Sequence, residues 1–402
     1  MVKVLREGRL SDSVQVSSVE AADVREYFFC VRPAADVGDV ETQARSIYES
    51  LFAAMDANGV EPKDLVTEKI FFSDVDRQFR ILEEIRSEVY RQTVEETGCT
   101  PATTFLHQPP CYPGRLCELQ AFAVVPTDGA TVETRCADDM PGLASGKVVS
   151  YDGLEHIYLL NLTGNGAPDA ALGLEDQAEK MFERADACLE RHGASYQDVI
   201  RTWIYLADIE RDYGAFNPVR TVFHERRGLA RIPASTGIQG ATYPWTRGCT
   251  LDLYALRAGP SAKVGDLYSP TMNEATAYGS SFSRGTTVTF GGRTTAYVSG
   301  TASIDTEGRV VHVGDIAGQV RRMLENVEAL LDTCGASWAD SVSAITYLKH
   351  PEYLEPFLEG CRERGILQDV PNTIAVADVC GPEWLCEIET IAVFPEGGRQ
   401  AA

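Results

Sequence analysis

The chain has 402 residues, of which 44% are hydrophobic and 24% are charged, as is typical of a soluble globular protein with two or three domains. Its formal net charge of −23 opposes encounter with DNA, RNA or an anionic membrane, so neither kind of partner is expected. The eleven cysteines show no zinc-type spacing and no Cys-x-x-Cys pair, so we expect reduced thiols, no disulfide framework and no metal. Residues 1–13 lack the apolar stretch of a signal peptide, and no run reaches the length of a membrane helix, so a cytoplasmic protein is expected.

One segment with a helical pattern occurs three times along the chain, starting at Val40, Leu174 and Ile316. Each copy has an apolar face and a Gln sixteen residues before a Gly that suits a left-handed helix cap. These pairs are Gln43 and Gly59, Gln177 and Gly193, and Gln319 and Gly335. The repeated spacing indicates one unit that is written three times.

The elements around each helix repeat in the same order. A hairpin-like stretch precedes the helix, and a β-rich strand, a second helix, a strand that begins with Pro and a last strand follow it. The last strands read LCELQAFAVVP at 116–126, GCTLDLYAL at 248–256 and LCEIETIAVFP at 385–395. The sequence therefore predicts an α+β fold with units at about 1–130, 145–258 and 265–396.

The units resemble the RidA/YjgF family, whose members are small α+β proteins that form trimers with ligand clefts between neighbouring subunits. The match is strongest in the third unit, in VSGTASID, VGDIAGQVRRMLENVEALL and CGASWADSVSAITYLK. The resemblance implies three tandem RidA/YjgF-like (chorismate mutase-like) units that form an intramolecular pseudo-trimer. A monomer is expected, because covalent linkage satisfies the interfaces that separate subunits would make.

A closer resemblance links units two and three to the chorismatases, which are RidA-like enzymes that remove the enolpyruvyl side chain of chorismate as pyruvate. The matching segments are RTWIYLADIERDYGAFNPVRTVF, PASTGI, TAYGSSFSRG, SGTASI, HVGDIAGQ and ADVCGPEWLCEIE, in that order. The resemblance implies a lyase or hydrolase that takes a small anionic substrate, either chorismate or a related enolpyruvyl cyclohexadiene acid. Its products would be pyruvate and a hydroxybenzoate or a dihydroxycyclohexadienoate. No dinucleotide motif is present, so no cofactor is expected.

Two departures from these families leave alternatives open. RidA-type imine deaminases carry an Arg two residues after the Pro of the penultimate strand, where this chain has Thr103, Ser235 and Thr373. Chorismatases carry an Arg- and Pro-rich segment before the SFSR match, and this segment is shorter here, so the substrate need not be chorismate itself. The alternatives are a RidA-like hydrolase or deaminase for another small imine or carbonyl compound, and a non-catalytic binder of a small acidic metabolite.

The candidate catalytic residues lie in or just before the last strand of unit three. Glu387 and Glu389 alternate with Cys and Ile, so both carboxylates point to one face of a strand. By the resemblance, Glu387 matches the acidic catalyst of both families, and Cys380 matches a position associated with hydroxybenzoate formation in some chorismatases. A solvated carboxylate pair and a core cysteine are the structural alternatives. Unit one has Glu118 at the position of Glu387 and unit two has Thr250, as expected if the clefts have diverged.

The expected chemistry requires a proton donor and cations. Enol-ether cleavage begins by protonating the terminal vinyl carbon, and an ordinary Glu titrates at about 4.3, so burial has to raise its pKa by roughly two units. Arginine offers bidentate contacts to a dianionic substrate. The candidate substrate-binding residues are Arg201, Tyr213, Arg220, Tyr278, Arg284, Arg293, Ser299 and Gly300. A structural role is the alternative for each of them, and His224 is expected on a polar helix face.

Overall fold

The computed structural model describes residues 3–11, 13–34, 38–127, 129–137, 140, 142–164, 172–244, 248–259 and 261–398. These ranges form three six-stranded sheets, which define units one to three in chain order, and helices pack against one face of every sheet. The α+β fold and its three copies are therefore confirmed. No helix in the described ranges is long and apolar enough to cross a membrane.

The three sheets share one topology. In the first, the order is β1-β2-β3-β6-β4-β5, with β1 (Lys3–Ser11), β2 (Val14–Glu20), β3 (Val24–Val31), β4 (Leu65–Phe72), β5 (Ala102–His107) and β6 (Cys117–Pro126). In the second, it is β7-β8-β9-β12-β10-β11, with β7 (Glu133–Cys136), β8 (Ser145–Tyr151), β9 (Leu154–Leu162), β10 (Val199–Leu206), β11 (Ala234–Gln239) and β12 (Cys249–Arg257). In the third, it is β13-β14-β15-β18-β16-β17, with β13 (Lys263–Leu267), β14 (Gly285–Phe290), β15 (Arg293–Ala302), β16 (Ser341–Leu348), β17 (Asn372–Val376) and β18 (Cys386–Pro395).

The helices follow the same repeat. They are α1 (Val40–Ala57), α2 (Val75–Val89) and α3 (Arg91–Thr97) in unit one, α4 (Leu174–Arg191) and α5 (Ile209–Arg227) in unit two, and α6 (Ile316–Thr333) and α7 (Leu354–Arg364) in unit three. In every sheet, the crossover through the second helix makes the last two strands of the order parallel. The other neighbouring strands are antiparallel.

The repeated Gln joins the first helix of each unit to the start of its last strand. Gln319 Oε1 accepts a hydrogen bond from Leu385 N at 2.9 Å, and its Nε2 donates to Glu383 O at 2.8 Å. The equivalent bonds run from Leu116 N to Gln43 at 2.7 Å and from Gly248 N to Gln177 at 2.9 Å. One buried amide thus forms the hydrogen bonds that backbone groups just before the strand need, which explains why Gln recurs at this spacing.

The Gly that ends this helix adopts the predicted left-handed conformation in each unit. The φ angle is +67° at Gly59, +70° at Gly193 and +80° at Gly335. A short 3-10 turn follows, closed by a capping box whose acidic residue is Asp64, Asp198 or Asp340. The same local sequence therefore ends the helix and starts the next strand three times.

The units meet around a pseudo-threefold axis through three joints. β5 of unit one packs on β8 and β9 of unit two, β11 packs on β14 and β15 of unit three, and β17 packs on β6 of unit one. The bonds across these joints are Thr103 N to Ser145 Oγ at 2.7 Å, Ser235 N to Ser299 Oγ at 2.9 Å, and Arg32 Nη2 to Asn372 O. The predicted intramolecular pseudo-trimer is confirmed.

One expectation about the cysteines is wrong. Cys99, which follows α3, and Cys136, which ends β7, form a disulfide bond between units one and two, with their Cα atoms 5.6 Å apart. The two residues are 37 positions apart in the sequence. Spacing gave no sign of this pair because the fold, and not the local sequence, brings them together.

We expect a monomer in solution, because the ring of three joints already gives every unit both of its neighbours. Multi-angle light scattering at micromolar concentration should therefore report about 43.9 kDa. A mass near three times this value would contradict the expectation.

Candidate functional site

A small cavity lies between units two and three, at the joint where β11 faces β15. Unit two contributes Tyr213 and Gly237 to its wall. Unit three contributes Phe282, Arg284, Gly300, Ala302, Ile304, Cys380, Trp384 and Glu387. Five of the candidate site residues, namely Tyr213, Arg284, Gly300, Cys380 and Glu387, therefore meet around one cavity.

Glu387 lines this cavity and is almost completely buried, with 6% of its surface exposed. It lies on β18, a central strand that pairs with β15 on one side and β16 on the other. Burial is the largest cause that raises the pKa of Glu387 to about 8, and Glu389 adds to the rise, whereas Arg201 and Arg284 oppose it. Glu387 is therefore a protonated acid at neutral pH, as enol-ether cleavage requires.

Gly300 leaves the space that the Glu387 carboxyl group occupies. An ideal Cβ at Gly300 would lie 2.1 Å from Glu387 Oε1 and 3.0 Å from Cγ2 of Thr236. Gly300 N also donates to Thr236 Oγ1 at 3.0 Å, which holds this part of unit three against unit two. A side chain at position 300 would displace the acid. Gly300 therefore contributes space to the site and not a polar group that would bind substrate.

Glu389 lies on the same face of β18, as the alternation predicted, but unit two encloses its carboxylate. Its Oε2 accepts hydrogen bonds from Arg201 Nη2 at 2.9 Å and from Thr236 Oγ1. Its Oε1 accepts one from Trp203 Nε1 at 2.6 Å. Arg201, which is 2% exposed, forms its ion pair with Glu389 and does not line the cavity. The two carboxylates thus differ in place, since Glu387 faces the cavity and Glu389 joins the units.

Two buried arginines lie near the ring of Phe282, which forms part of the cavity wall. The guanidinium carbons of Arg284 and Arg220 are 5.5 Å and 5.6 Å from the centre of its ring. Arg284 donates from Nε and Nη2 to Asn273 O at 2.9 Å and 2.6 Å. Arg220 is 2% exposed and donates to Asn217 Oδ1, and no ion pair within the described ranges involves it. A buried guanidinium without a counter-ion is unfavourable, so an anionic ligand nearby would stabilise Arg220.

Tyr213 and Cys380 face the cavity from opposite units. Tyr213 Oη lies 3.2 Å from Ser280 Oγ, next to the segment that carries Arg284. Burial, with a further contribution from Glu387, raises the pKa of Cys380 to about 12. The thiol therefore stays protonated and is a small neutral wall group, not a thiolate nucleophile.

The remaining candidates lie away from the cavity wall. Ser299 holds the joint, where it accepts from one backbone N–H and donates to one backbone carbonyl. Arg293 lies at the other end of β15, paired with Glu26. Tyr278 ends the 3-10 turn Ala275–Tyr278, and its side chain lies outside the described residues.

Sequence reasoning missed the contact of α5 with the 280–284 segment of unit three. His224 on α5 is 5% exposed, and its Nδ1 lies 3.2 Å from Ser281 Oγ, so the polar helix face on which it was expected is buried against unit three. Burial, with Arg220 second, lowers the pKa of His224 to about 3, which keeps the ring neutral. The spacing of Asn217, Arg220 and His224 places them on one helix face and was the signal available in the sequence.

The two other joints differ in chemistry at the position of Glu387. At the joint of units three and one, Glu118 is completely buried, and its Oε1 lies 3.0 Å from Arg32 Nε. At the joint of units one and two, Thr250 stands there and its hydroxyl oxygen lies 2.8 Å from that of Thr242. Glu387 takes part in no ion pair within the described part of the chain, so the three joints provide one paired carboxylate, one hydroxyl and one protonated acid.

Comparison with known proteins gives a family model and several relatives. The family model described as endoribonuclease L-PSP matches residues 160–248 and 275–394, about half of the chain. A RutC family protein of Pyrococcus abyssi is 42% identical over 53 residues, which are 13% of this chain and 42% of that protein. The chain thus matches less than half the length of this curated relative.

Among solved structures, a chorismatase shares the fold of this chain. A chorismatase superposes with a TM-score of 0.60 at 17% identity, covering 93% of this chain and 100% of its own. A putative endoribonuclease L-PSP from Entamoeba histolytica matches 33% of this chain and 100% of its own, with 21% identity and a TM-score of 0.29. RidA from an Antarctic Psychrobacter species matches 32% of this chain and 99% of its own, with 20% identity and a TM-score of 0.27.

Proposed function

The chain belongs to the endoribonuclease L-PSP family, also called RidA/YjgF, and on that premise we propose that its cleft between units two and three cleaves the enolpyruvyl ether of chorismate or of a related cyclohexadiene acid. The products are pyruvate and either a hydroxybenzoate or a dihydroxycyclohexadienoate. The observation that carries the proposal is Glu387, a buried acid with its pKa raised to about 8, facing a cavity whose wall includes Arg284. The fold that the chain shares with a chorismatase agrees with this reaction.

Glu387 acts as the general acid. Its proton adds to the terminal carbon of the vinyl ether, which becomes a methyl group, and positive charge develops on the carbon that bears the ether oxygen. The carboxylate that remains stabilises this oxocarbenium ion within a cleft of low dielectric constant. For a dihydroxycyclohexadienoate product, water bonds to the cation and gives a proton to Glu387. The resulting hemiketal then breaks its bond to the ring oxygen, which takes up the hemiketal hydroxyl proton as pyruvate leaves. For a hydroxybenzoate product, the bond between the ring carbon and the ether oxygen breaks instead, the oxygen leaves with pyruvate, and the ring loses a proton to the Glu387 carboxylate as it becomes aromatic.

The cations hold the substrate beside the acid. Arg284 lines the cavity, and the guanidinium carbon of Arg220 lies 5.6 Å from the ring centre of Phe282 in the cavity wall, in a chain whose net charge is −23. Carboxylates of the substrate pair with these guanidinium groups, and Tyr213 adds a hydroxyl on the side of unit two. Local positive charge of this kind is what an acidic protein needs in order to bind a dianion.

Incubation of the protein with chorismate tests the proposal. Pyruvate release is followed by coupling to lactate dehydrogenase, and the ring product is identified by mass spectrometry and proton NMR. Glu387→Gln serves as the control for turnover by a contaminant. Chorismate that binds without releasing pyruvate would instead indicate a non-catalytic binder, and no binding at all would exclude this substrate.

Removing either arginine should weaken substrate binding. We expect Arg220→Ala and Arg284→Ala each to cost about 1.5–3 kcal/mol of binding free energy, because each loses a charged hydrogen bond. Titration calorimetry with the Glu387→Gln background measures this without turnover. Arg362→Ala is the matched control, since Arg362 is exposed on α7 and pairs with the exposed Glu355. Equal affinity in all variants would contradict a role for the two buried arginines.

The pH profile should report the acid form of Glu387. Since the pKa of Glu387 is raised to about 8 in the free protein, kcat/KM should be level below this pH and fall about tenfold per unit above it. Initial rates from pH 6 to pH 10 at substrate concentrations well below KM measure the profile. A rate that rises through this range would assign Glu387 the role of a base.

A further inference from the structure

A second cavity lies on the pseudo-threefold axis, where the sheet faces that point away from the helices meet. Residues of all three units line it, and none of them belongs to the cleft of Glu387. Its volume is about 80 Å³, counted as the space that the centres of water molecules reach. One water needs roughly 10–15 Å³ on this scale, so the cavity has room for several waters or for one small organic molecule.

Aromatic rings form much of the wall of this axial cavity. Eight Phe, Tyr and Trp side chains line it. Four of them form an arc across the units, with ring centres 5.9 Å apart for Phe122 and Tyr158, 4.9 Å for Tyr158 and Tyr254, and 5.4 Å for Tyr254 and Tyr297. Rings attract each other at such separations, so these walls favour a flat aromatic ligand.

The charged residues that line the cavity already have partners. Arg293 donates from Nη2 to Glu26 Oε1, and both residues are buried. Lys69 Nζ lies 3.3 Å from Asp252 Oδ2. A charged ligand would have to be desolvated here without gaining a counter-ion, which is unfavourable. The cavity therefore suits an uncharged molecule.

Three buried polar atoms of the lining residues have no hydrogen-bond partner among the residues that the structure describes. They are Nε and Nη1 of Arg293 and Nε2 of His156. Burial, with Arg293 second, lowers the pKa of His156 to about 3, so this ring is neutral. Buried groups without partners cost stability, and a ligand oxygen would supply an acceptor for the Arg293 donors.

We propose that the axial cavity binds a small uncharged aromatic molecule that carries one hydroxyl or carbonyl oxygen and is the size of a single-ring phenol. The aromatic arc holds the ring, and the oxygen lies toward Arg293 and His156. This site is independent of the proposed reaction, because it shares no lining residue with the cleft of Glu387.

Phenol is the probe, measured by titration calorimetry on the intact chain. We expect saturable binding of one phenol per chain with a Kd of ~1 mM or lower. Two variants that fill the cavity from different units, Thr67→Phe and Thr295→Phe, should each weaken phenol binding by at least about tenfold. Circular dichroism identifies which variants keep the fold, and one folded variant is sufficient for the test. Ala302→Leu fills the cleft of Glu387 instead and should leave phenol binding unchanged.

Three results would overturn the proposal. Absence of binding to the wild-type chain at ~10 mM phenol would mean that the cavity holds only water. Loss of binding in Ala302→Leu alone would place phenol in the cleft of Glu387. Equal affinity of the wild type and of every folded variant that fills the axial cavity would place phenol outside that cavity. Cyclohexanol is the matched non-aromatic probe, and binding of cyclohexanol as tight as that of phenol would contradict the aromatic class.

Discussion

Glu387→Gln is expected to lower kcat for chorismate at least about a hundredfold while the fold is kept, because the amide has the shape of the acid but cannot donate its proton. Steady-state rates with purified variant and wild type measure the loss. Glu118→Gln is the matched control, since Glu118 occupies the equivalent position in unit one but is paired with Arg32. Equal losses in both variants, or no loss in Glu387→Gln on a confirmed substrate, would refute the assignment.

The same substitution should change how stability depends on pH. The pKa of Glu387 is raised from 4.5 to about 8 in the folded chain, so the folded state holds this proton more tightly than the unfolded state does. Its contribution to the free energy of unfolding is therefore greatest below pH 4.5 and is lost as pH rises toward 8. Glu387→Gln removes this pH-dependent loss of stability, because an amide does not titrate in this range. Urea denaturation should show the variant gaining stability relative to the wild type between pH 5 and pH 9.

Arg201→Met should lower the free energy of unfolding by about 3–5 kcal/mol, because it leaves the Glu389 carboxylate buried without its cation. Arg201 and the side chain of Glu389 are 2% and 7% exposed, and their ion pair crosses the joint of units two and three. Chemical denaturation monitored by circular dichroism measures the loss.

An exposed ion pair provides the control for this effect. Arg362→Met breaks the pair with Glu355, whose side chains are 53% and 68% exposed, and should cost less than about 1 kcal/mol. The double variant Arg201→Met with Glu389→Leu should recover part of the loss, since no charge is then left buried. Similar losses of unfolding free energy in Arg201→Met and Arg362→Met would show that the buried pair stabilises the fold no more than the exposed pair does.

The repeat made most of the fold predictable from the sequence. The Gln and Gly of each first helix recur because both stabilise the local backbone. Such local requirements fix the spacing of the two residues, and this spacing is visible in the sequence. The alternation around Glu387 also predicted its strand face. The resemblance to chorismatases, rather than any spacing, indicated that Tyr213 and Arg284 lie near it.

The rest of the site depends on contacts between distant parts of the chain. Arg201 and Glu389 are 188 positions apart, and nothing in the sequence indicated that Arg201 would bind this carboxylate rather than a substrate. The burial of His224 depends in the same way on a segment of unit three, 57 positions away. The disulfide bond and the axial cavity likewise arise from the arrangement of the units, which local patterns do not encode.

The joint of units three and one has a consequence for synthesis on the ribosome. Arg32 and its acceptor Asn372 are separated by 340 residues, so the edge of unit one that carries Arg32 is made long before its partner. At about 5–20 residues per second, translation of that interval takes on the order of 20–70 s. During this time the nascent chain exposes Arg32 together with Val19 and Phe28, which pack against unit three in the complete fold, and exposed apolar surface of this kind attracts chaperones and misassociation. Ring closure therefore has to wait for unit three, and the rate of translation sets the earliest time at which it can occur.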